Sequence, residues 1–206
     1  MSSNFGTSYY FSSAVYTAEE PQFLDEAKTV VADYLKKAEK TPDGLLIQTA
    51  SMFDGRLENM IKHIAQSGWN ILDSQGYDMG DKSTRLMEFW AQEHQKHSGM
   101  DEHIHGDGAQ LIGFYFLDCP DEEARVIFSD PNQAKKQINL PQKNMSQVTL
   151  GTTMVNFQPK PGLLIMTNAW VPHTFTRNRS DKPFTFIHFT IGVDKALPVP
   201  PPAEVV

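Results

Sequence analysis

The hydrophobic rhythm of the chain changes near its middle. Up to about residue 85, apolar residues recur in steps of three and four. From residue 109 onward they gather in short runs separated by Pro, Gly, Asn and Asp. The first rhythm predicts two amphipathic helices. One spans 20–39, with Phe23, Leu24, Ala27, Val30, Val31, Tyr34, Leu35 and Ala38 as its stripe. The other spans 54–67, with Asp54 as N-cap, Leu57, Met60, Ile61 and Ile64 as the stripe and Gly68 as the stop. The second rhythm predicts strands at "AQLIGFYFL", "RVIF", "TTMVNF", "GLLIMT", "HTFTR" and "FTFIHFTI". "LIGFYFL" and "GLLIM" do not alternate, as befits strands covered on both faces. "RLMEFWAQEHQKH" lies between the two regimes: its propensity is helical, but strands follow it. Helices first and strands second give an α+β class, with helices packed on a sandwich or barrel. Residues 130–150 form a polar insertion long enough to act as a lid, with Lys135, Lys136 and Lys143 available to an anion. A proline-rich tail follows from 193.

Composition narrows the function. With 206 residues, 40% of them hydrophobic, the chain is long enough to bury a sizeable core. A net charge of -7 and the lack of a basic run argue against nucleic acid as a partner. No apolar run approaches the ~20 residues that span a bilayer, and the N-terminus lacks the pattern of a signal peptide, so no membrane partner is expected. The one cysteine, Cys119, excludes an internal disulfide framework and reads as a buried structural thiol. The expected location is cytoplasmic.

The densest chemistry is "DEHIHGDG" at 101–108. On an extended backbone His103, His105 and Asp107 share a face. Metal ligands must converge within ~2.0–2.2 Å of one centre, and a His-x-His or His-x-Asp pair with one distant His is how a non-haem iron site is assembled. His173, opening a later strand, supplies the distant ligand. A solvated loop ahead of a strand is the plainer alternative. His94 and His97 offer a rival zinc cluster with His103, or a solvated helix end. His188, inside "FTFIHFTI", reads as a core histidine with its hydrogen bonds satisfied. The glycines of "GDGAQLIG" open a strand rather than a helix, so they are no dinucleotide fingerprint. No G-x-S-x-G elbow occurs.

Four stretches carry a family resemblance: "FWAQEHQKHSGMDEHIH", "LIGFYFLDCP", "RVIFSDP" and "PKPGLLIMTNAWVPHTFTRNRSDKPFTFIHFTI". Together they resemble the iron(II)/2-oxoglutarate oxygenase superfamily, and within it a group of oxygenases found in marine bacteria and their phages. The resemblance implies a double-stranded β-helix, or jelly roll, with N-terminal helices packed on one face. It implies a single oxygenase-like domain, helical to about residue 85 and jelly-roll from about 86 to 192, and makes a strand of "MEFWAQEHQ" the better reading. It also implies iron(II) held by His103, His105 and His173, with Asp107 as rival if the working motif is His105-Gly106-Asp107. 2-Oxoglutarate is the implied co-substrate and hydroxylation the implied reaction. The substrate, small molecule or protein, and the oligomeric state are left open. Two positions depart from the family. Its last strand opens with an Arg for the far carboxylate of 2-oxoglutarate, where this chain has Pro183 and Phe184. Its Tyr-Tyr pair is here Tyr115 and Phe116. Tyr115 remains a candidate co-substrate contact. Arg177, two two-residue steps from His173, and Arg125 are candidates for the missing anchor, with a water-facing Arg177 as the alternative. The departures motivate a second reading, a catalytically decayed jelly-roll binding protein that keeps the metal. A third is a zinc hydrolase on the same histidines.

Overall fold

Two antiparallel sheets pack face to face in the computed structural model, which describes residue 8 and residues 11–120, 124–138 and 140–195. In chain order the elements are β1 (Val15–Glu19), α1 (Leu24–Leu35), β2 (Glu39–Lys40), β3 (Leu46–Gln48), α2 (Glu58–Ser74), β4 (Lys82–His94) and β5 (Met100–His103). Then come β6 (Leu111–Asp118), β7 (Val126–Ser129), β8 (Met154–Phe157), β9 (Leu163–Asn168), β10 (His173–Phe175) and β11 (Phe184–Lys195). The large sheet runs β1-β9-β6-β11-β4-β3-β2 and the small one β5-β10-β7-β8. This is the α+β jelly roll anticipated from the sequence. The proline-rich segment from 196 onward lies outside the described residues.

The central strands of the large sheet divide their side chains between two cores. Leu86, Phe89, Leu111, Tyr115, Ile187, Phe189 and Ile191 face α1 and α2. Ile112, Phe114, Phe116, Phe184 and Phe186 face inward, where Val126, Phe128 and Phe175 of the small sheet meet them. Burial on both faces is why β6 and the first half of β9 read as unbroken apolar runs. The ambiguous segment is strand β4. Its helical propensity loses to a ladder with β11 that extends from Lys82 to His94, with β3 bonded along its other edge.

The helices differ from expectation at their ends. α1 stops at Leu35, because the turn at Thr41–Gly44 folds β2 back on β3, with Gly44 at φ 70. α2 runs through Gly68 to Ser74. Gly68 is a packing residue, not a stop: a Cβ there would come within 2.6 Å of Ile191 Cδ1. Asp54 does cap the preceding turn, accepting from the Arg56 N–H at 2.9 Å. The insertion at 130–150 contains one 3-10 turn, Gln133–Gln137, and otherwise no regular structure among its described residues.

His94 is neither exposed nor on a helix. Its ring nitrogens meet Ser98 Oγ at 2.8 Å and Gln92 Oε1 at 3.1 Å, and it stacks on Phe186. His97 lies on the surface at φ 72. The rival zinc cluster therefore does not form among the described residues: His94 is a structural residue of the inner core.

Two stability measurements follow. At Gly113 an added Cβ would lie 2.3 Å from Phe189 Cζ and 2.7 Å from the Ile165 carbonyl oxygen, which is backbone and cannot swing away. Gly113→Ala is expected to cost roughly 1–3 kcal/mol in chemical denaturation. Gly55→Ala, where a Cβ meets nothing within 4 Å, should be near neutral. Burial lowers the His94 pKa from 6.5 to about 4. The unfolded chain thus takes up this proton before the folded chain does. The stability held above pH 6.5 is lost as pH falls toward about 4. Thermal melts of His94→Gln should show a shallower decline across that window than the parent.

Candidate metal centre

Register brings the site together. In the small sheet β10 lies between β5 and β7, and His173 is the Cα partner of both His103 and Phe128. Residues directly opposite on antiparallel strands share a face with their Cβ atoms close. His173 and His103 therefore meet, with ring centroids 4.3 Å apart. His105 lies just past the end of β5. Its backbone N–H donates to the Ala169 carbonyl at 3.0 Å, which ties the loop to the chain just past the end of β9. Its ring is 5.2 Å from His103 and 5.3 Å from His173. The ligand atoms of His103, His105 and His173 lie within 4.8 Å of one another.

The tautomers are set by carbonyl acceptors. His173 Nδ1 lies 3.1 Å from the Val171 oxygen, and His103 Nδ1 lies 2.8 Å from the Asp101 oxygen. A carbonyl can only accept, so each Nδ1 donates and each Nε2 keeps its lone pair for a metal. Nε2 of His105 and of His173 is buried without any hydrogen-bond partner. Desolvation lowers the pKa of His105, assisted by His103, and takes that of His173 to about 3. Both rings are therefore neutral near pH 7. Orphaned, neutral imidazole nitrogens that converge on one point fit a first-row divalent metal.

The other candidates are placed elsewhere. Asp107 is outside the converging group. The extended backbone assumed for it ends at His103. Asp107 and Gly108 turn the chain with φ 54 and 88, closed by the Ala109 N–H on the Gly106 oxygen. Asp tolerates this left-handed geometry. Tyr115 sits on the opposite face of β6 from Phe114 and Phe116, and its hydroxyl donates to the Glu20 carbonyl at 2.7 Å. One-residue alternation thus turns it toward the helices and away from the histidines. Arg177 is exposed, because β10 ends at Phe175 before the two-residue count reaches it. Arg125 donates to Asn156 Oδ1 at 3.0 Å, on the outer face of the small sheet. No lysine or arginine is buried among the described residues.

One residue beside the site differs from its sequence reading. His188 is a core residue, but neither ring nitrogen has a hydrogen-bond partner. It lies between Trp90, 4.2 Å away, and His105, 4.9 Å away. Nothing in "FTFIHFTI" distinguishes it from a satisfied histidine, since its neighbours come from β4 and the loop after β5.

Comparison with known proteins agrees with this geometry. Residues 88–189 match the family model described as "Putative 2OG-Fe(II) oxygenase". No curated protein matches the chain. Among solved structures, the non-heme alpha ketoglutarate dependent carbocyclase SnoK from nogalamycin biosynthesis superposes with a TM-score of 0.63 at 12% identity, covering 89% of this chain and 82% of its own. HygX from Streptomyces hygroscopicus, solved with nickel, 2-oxoglutarate and hygromycin B bound, gives 0.54 at 13%, covering 87% and 83%. A Pseudomonas putida prolyl-4-hydroxylase gives 0.54 at 10%, covering 87% and 93%. These likenesses show the shared jelly roll. The match from the strand that holds Trp90 to the strand that holds His188, spanning all three converging histidines, makes this chain a member of the 2-oxoglutarate/iron(II) oxygenase superfamily.

Proposed function

We propose that the protein is a mononuclear iron(II) dioxygenase that consumes 2-oxoglutarate and hydroxylates its substrate, with His103, His105 and His173 as the metal ligands. The observation that carries this reading is the meeting of three imidazoles, two with a buried and unpartnered Nε2 and the third with its Nδ1 held by the Asp101 carbonyl. Iron and 2-oxoglutarate together would supply the oxidant, while the chain supplies position and electrostatics. Three neutral ligands leave the metal's double positive charge uncompensated, which favours an anionic chelate at the remaining positions. The decayed binding protein would keep the same three histidines, so it is the match to the oxygenase family model that argues against it. Zinc also takes a three-histidine site, so it is a competitor for the metal, while family membership favours iron.

A cleft of about 640 Å³ opens between the edge strands β1 and β8, and two of its lining residues, Phe128 and Val171, adjoin His173. We propose that the substrate enters here. The walls include Val148, Leu150 and Met154, all exposed, with Ser129 and Thr152 as polar points. This lining suits a largely apolar group that carries a hydroxyl or amide. The insertion contributes to it as a wall. Lys135 is engaged by Asp130 at 2.7 Å and by the Thr152 carbonyl at 2.9 Å, so it braces the loop internally. A cytoplasmic location belongs to this proposal and is supported by the free thiol of Cys119.

Two experiments test the assignment. Alanine at His103, His105 or His173 is expected to weaken iron(II) affinity by roughly 100-fold or more with far-UV circular dichroism unchanged, whereas Asp107→Ala should leave it within about twofold. A His173→Ala protein that holds one iron as tightly as the parent would refute the ligand set. Parent protein loaded with iron should convert 2-oxoglutarate to succinate in air, slowly without substrate, and His173→Ala should not. Iron-loaded parent that neither binds 2-oxoglutarate nor forms succinate would remove the dioxygenase reading.

A further inference from the structure

His188 occupies the middle of β11 and is 2% exposed. Its ring is one member of a column. Trp90 lies on one side at 4.2 Å and 20° between planes, and His105 on the other at 4.9 Å and 26°. His105 in turn lies 5.3 Å from His173 with planes 1° apart. The column therefore carries two of the proposed metal ligands and one imidazole that is not in the ligand group.

Both nitrogens of His188 are buried and unpaired. An unsatisfied buried polar group is costly, and the interior elsewhere avoids it: His94, on the adjacent strand, has both nitrogens bonded. The described buried side-chain atoms without a hydrogen bond are Nε2 of His105 and His173, the two nitrogens of His188, and His63 Nε2. His63 Nε2 lies 3.0 Å from a Glu20 carboxylate oxygen. A metal accounts for the first two, which leaves His188. Packing does not explain an imidazole here. Phe114 and Phe186 stand on the neighbouring inner positions, and a phenylalanine would fill the same slot without stranding two polar atoms.

We propose that His188 donates a hydrogen bond to a carboxylate oxygen of the 2-oxo acid held on the metal, so that the last strand contacts the co-substrate through a neutral donor in the middle of β11. The inference rests on the dioxygenase reading above. A neutral imidazole carries one N–H and one lone pair. Its donor needs an acceptor beside His105, and an anionic chelate on a dication with three neutral ligands presents one. With no lysine or arginine buried among the described residues, a neutral donor next to the metal is what the interior offers. The second nitrogen is then free to accept from a hydroxyl or a water that enters with the ligand.

The test is anaerobic titration of 2-oxoglutarate into the iron(II)-loaded protein, followed by calorimetry and by the visible charge-transfer absorption of the chelate. His188→Phe should hold one iron per chain as tightly as the parent and bind 2-oxoglutarate about tenfold or more weakly, the loss expected for one hydrogen bond to a charged acceptor. His188→Gln, which restores an N–H donor, should recover part of the loss. His188→Leu decides the matter if the Phe variant does not fold. Binding of 2-oxoglutarate within about twofold of the parent by an apolar variant would make His188 a packing residue. Loss of iron as complete as in His173→Ala would make it a metal ligand. Either result overturns the proposal and leaves the dioxygenase reading standing. A parent that holds iron and ignores millimolar 2-oxoglutarate overturns both.

Discussion

The centre depends on the register of three residues. β10 is only His173–Phe175, yet it is the strand on which β5 and β7 both pair, and His173 is in register with a residue of each. Side chains alternate along a strand, so a slip of one residue would turn His173 outward and bring Thr174 into the interior. Two features pin the register. Phe175, on the same face, stacks on Phe186 of the large sheet at 4.5 Å. Thr174, on the other face, donates its hydroxyl to the Met100 carbonyl of β5. The aromatic core is thus part of the metal site's geometry. The phenylalanines that fill the space between the sheets fix the strand that carries His173.

The same burial sets the electrostatics. Desolvation favours the neutral imidazole, and the carbonyls of Val171 and Asp101 choose which nitrogen holds its proton. A metal arriving near neutral pH has no proton to displace at His105 or His173, so coordination there carries little protonation penalty. A carboxylate in place of the third histidine would halve the net charge on the centre. Its absence shifts charge balance onto the exogenous ligand, and this centre should therefore prefer anionic co-ligands over neutral ones.

What was legible in the sequence was local. The strands of the C-terminal half, the His-x-His spacing and the histidine opening a later strand are each short-range patterns, and the chain keeps them. What was not legible depended on partners distant in sequence. By propensity alone β4 was ambiguous, and the twelve residues of β11 beside it decide for a strand. Gly68 looked like a helix stop because its reason, the Ile191 side chain, is more than a hundred positions away. Tyr115 was a candidate co-substrate contact through the family resemblance, but alternation along β6 turns it toward the helices. Arg177 faces water, the alternative weighed beside it, because counting by twos is valid only while the strand lasts and β10 ends at Phe175.

His94 and His188 show where sequence reading stops. Both lie on central strands of the large sheet, both face the interior phenylalanines, and both are nearly inaccessible to solvent. Desolvation lowers the pKa of each. Exposure, strand position and neighbouring residue types do not separate them. Hydrogen bonding does. Ser98 and Gln92 close both edges of His94, so the fold has already spent its donor and its acceptor. His188 has rings on its faces and no partner at its edges. A protein that can satisfy one buried histidine with a serine and a glutamine could have done so for the other. On the proposal above, the missing partner of His188 arrives with the ligand.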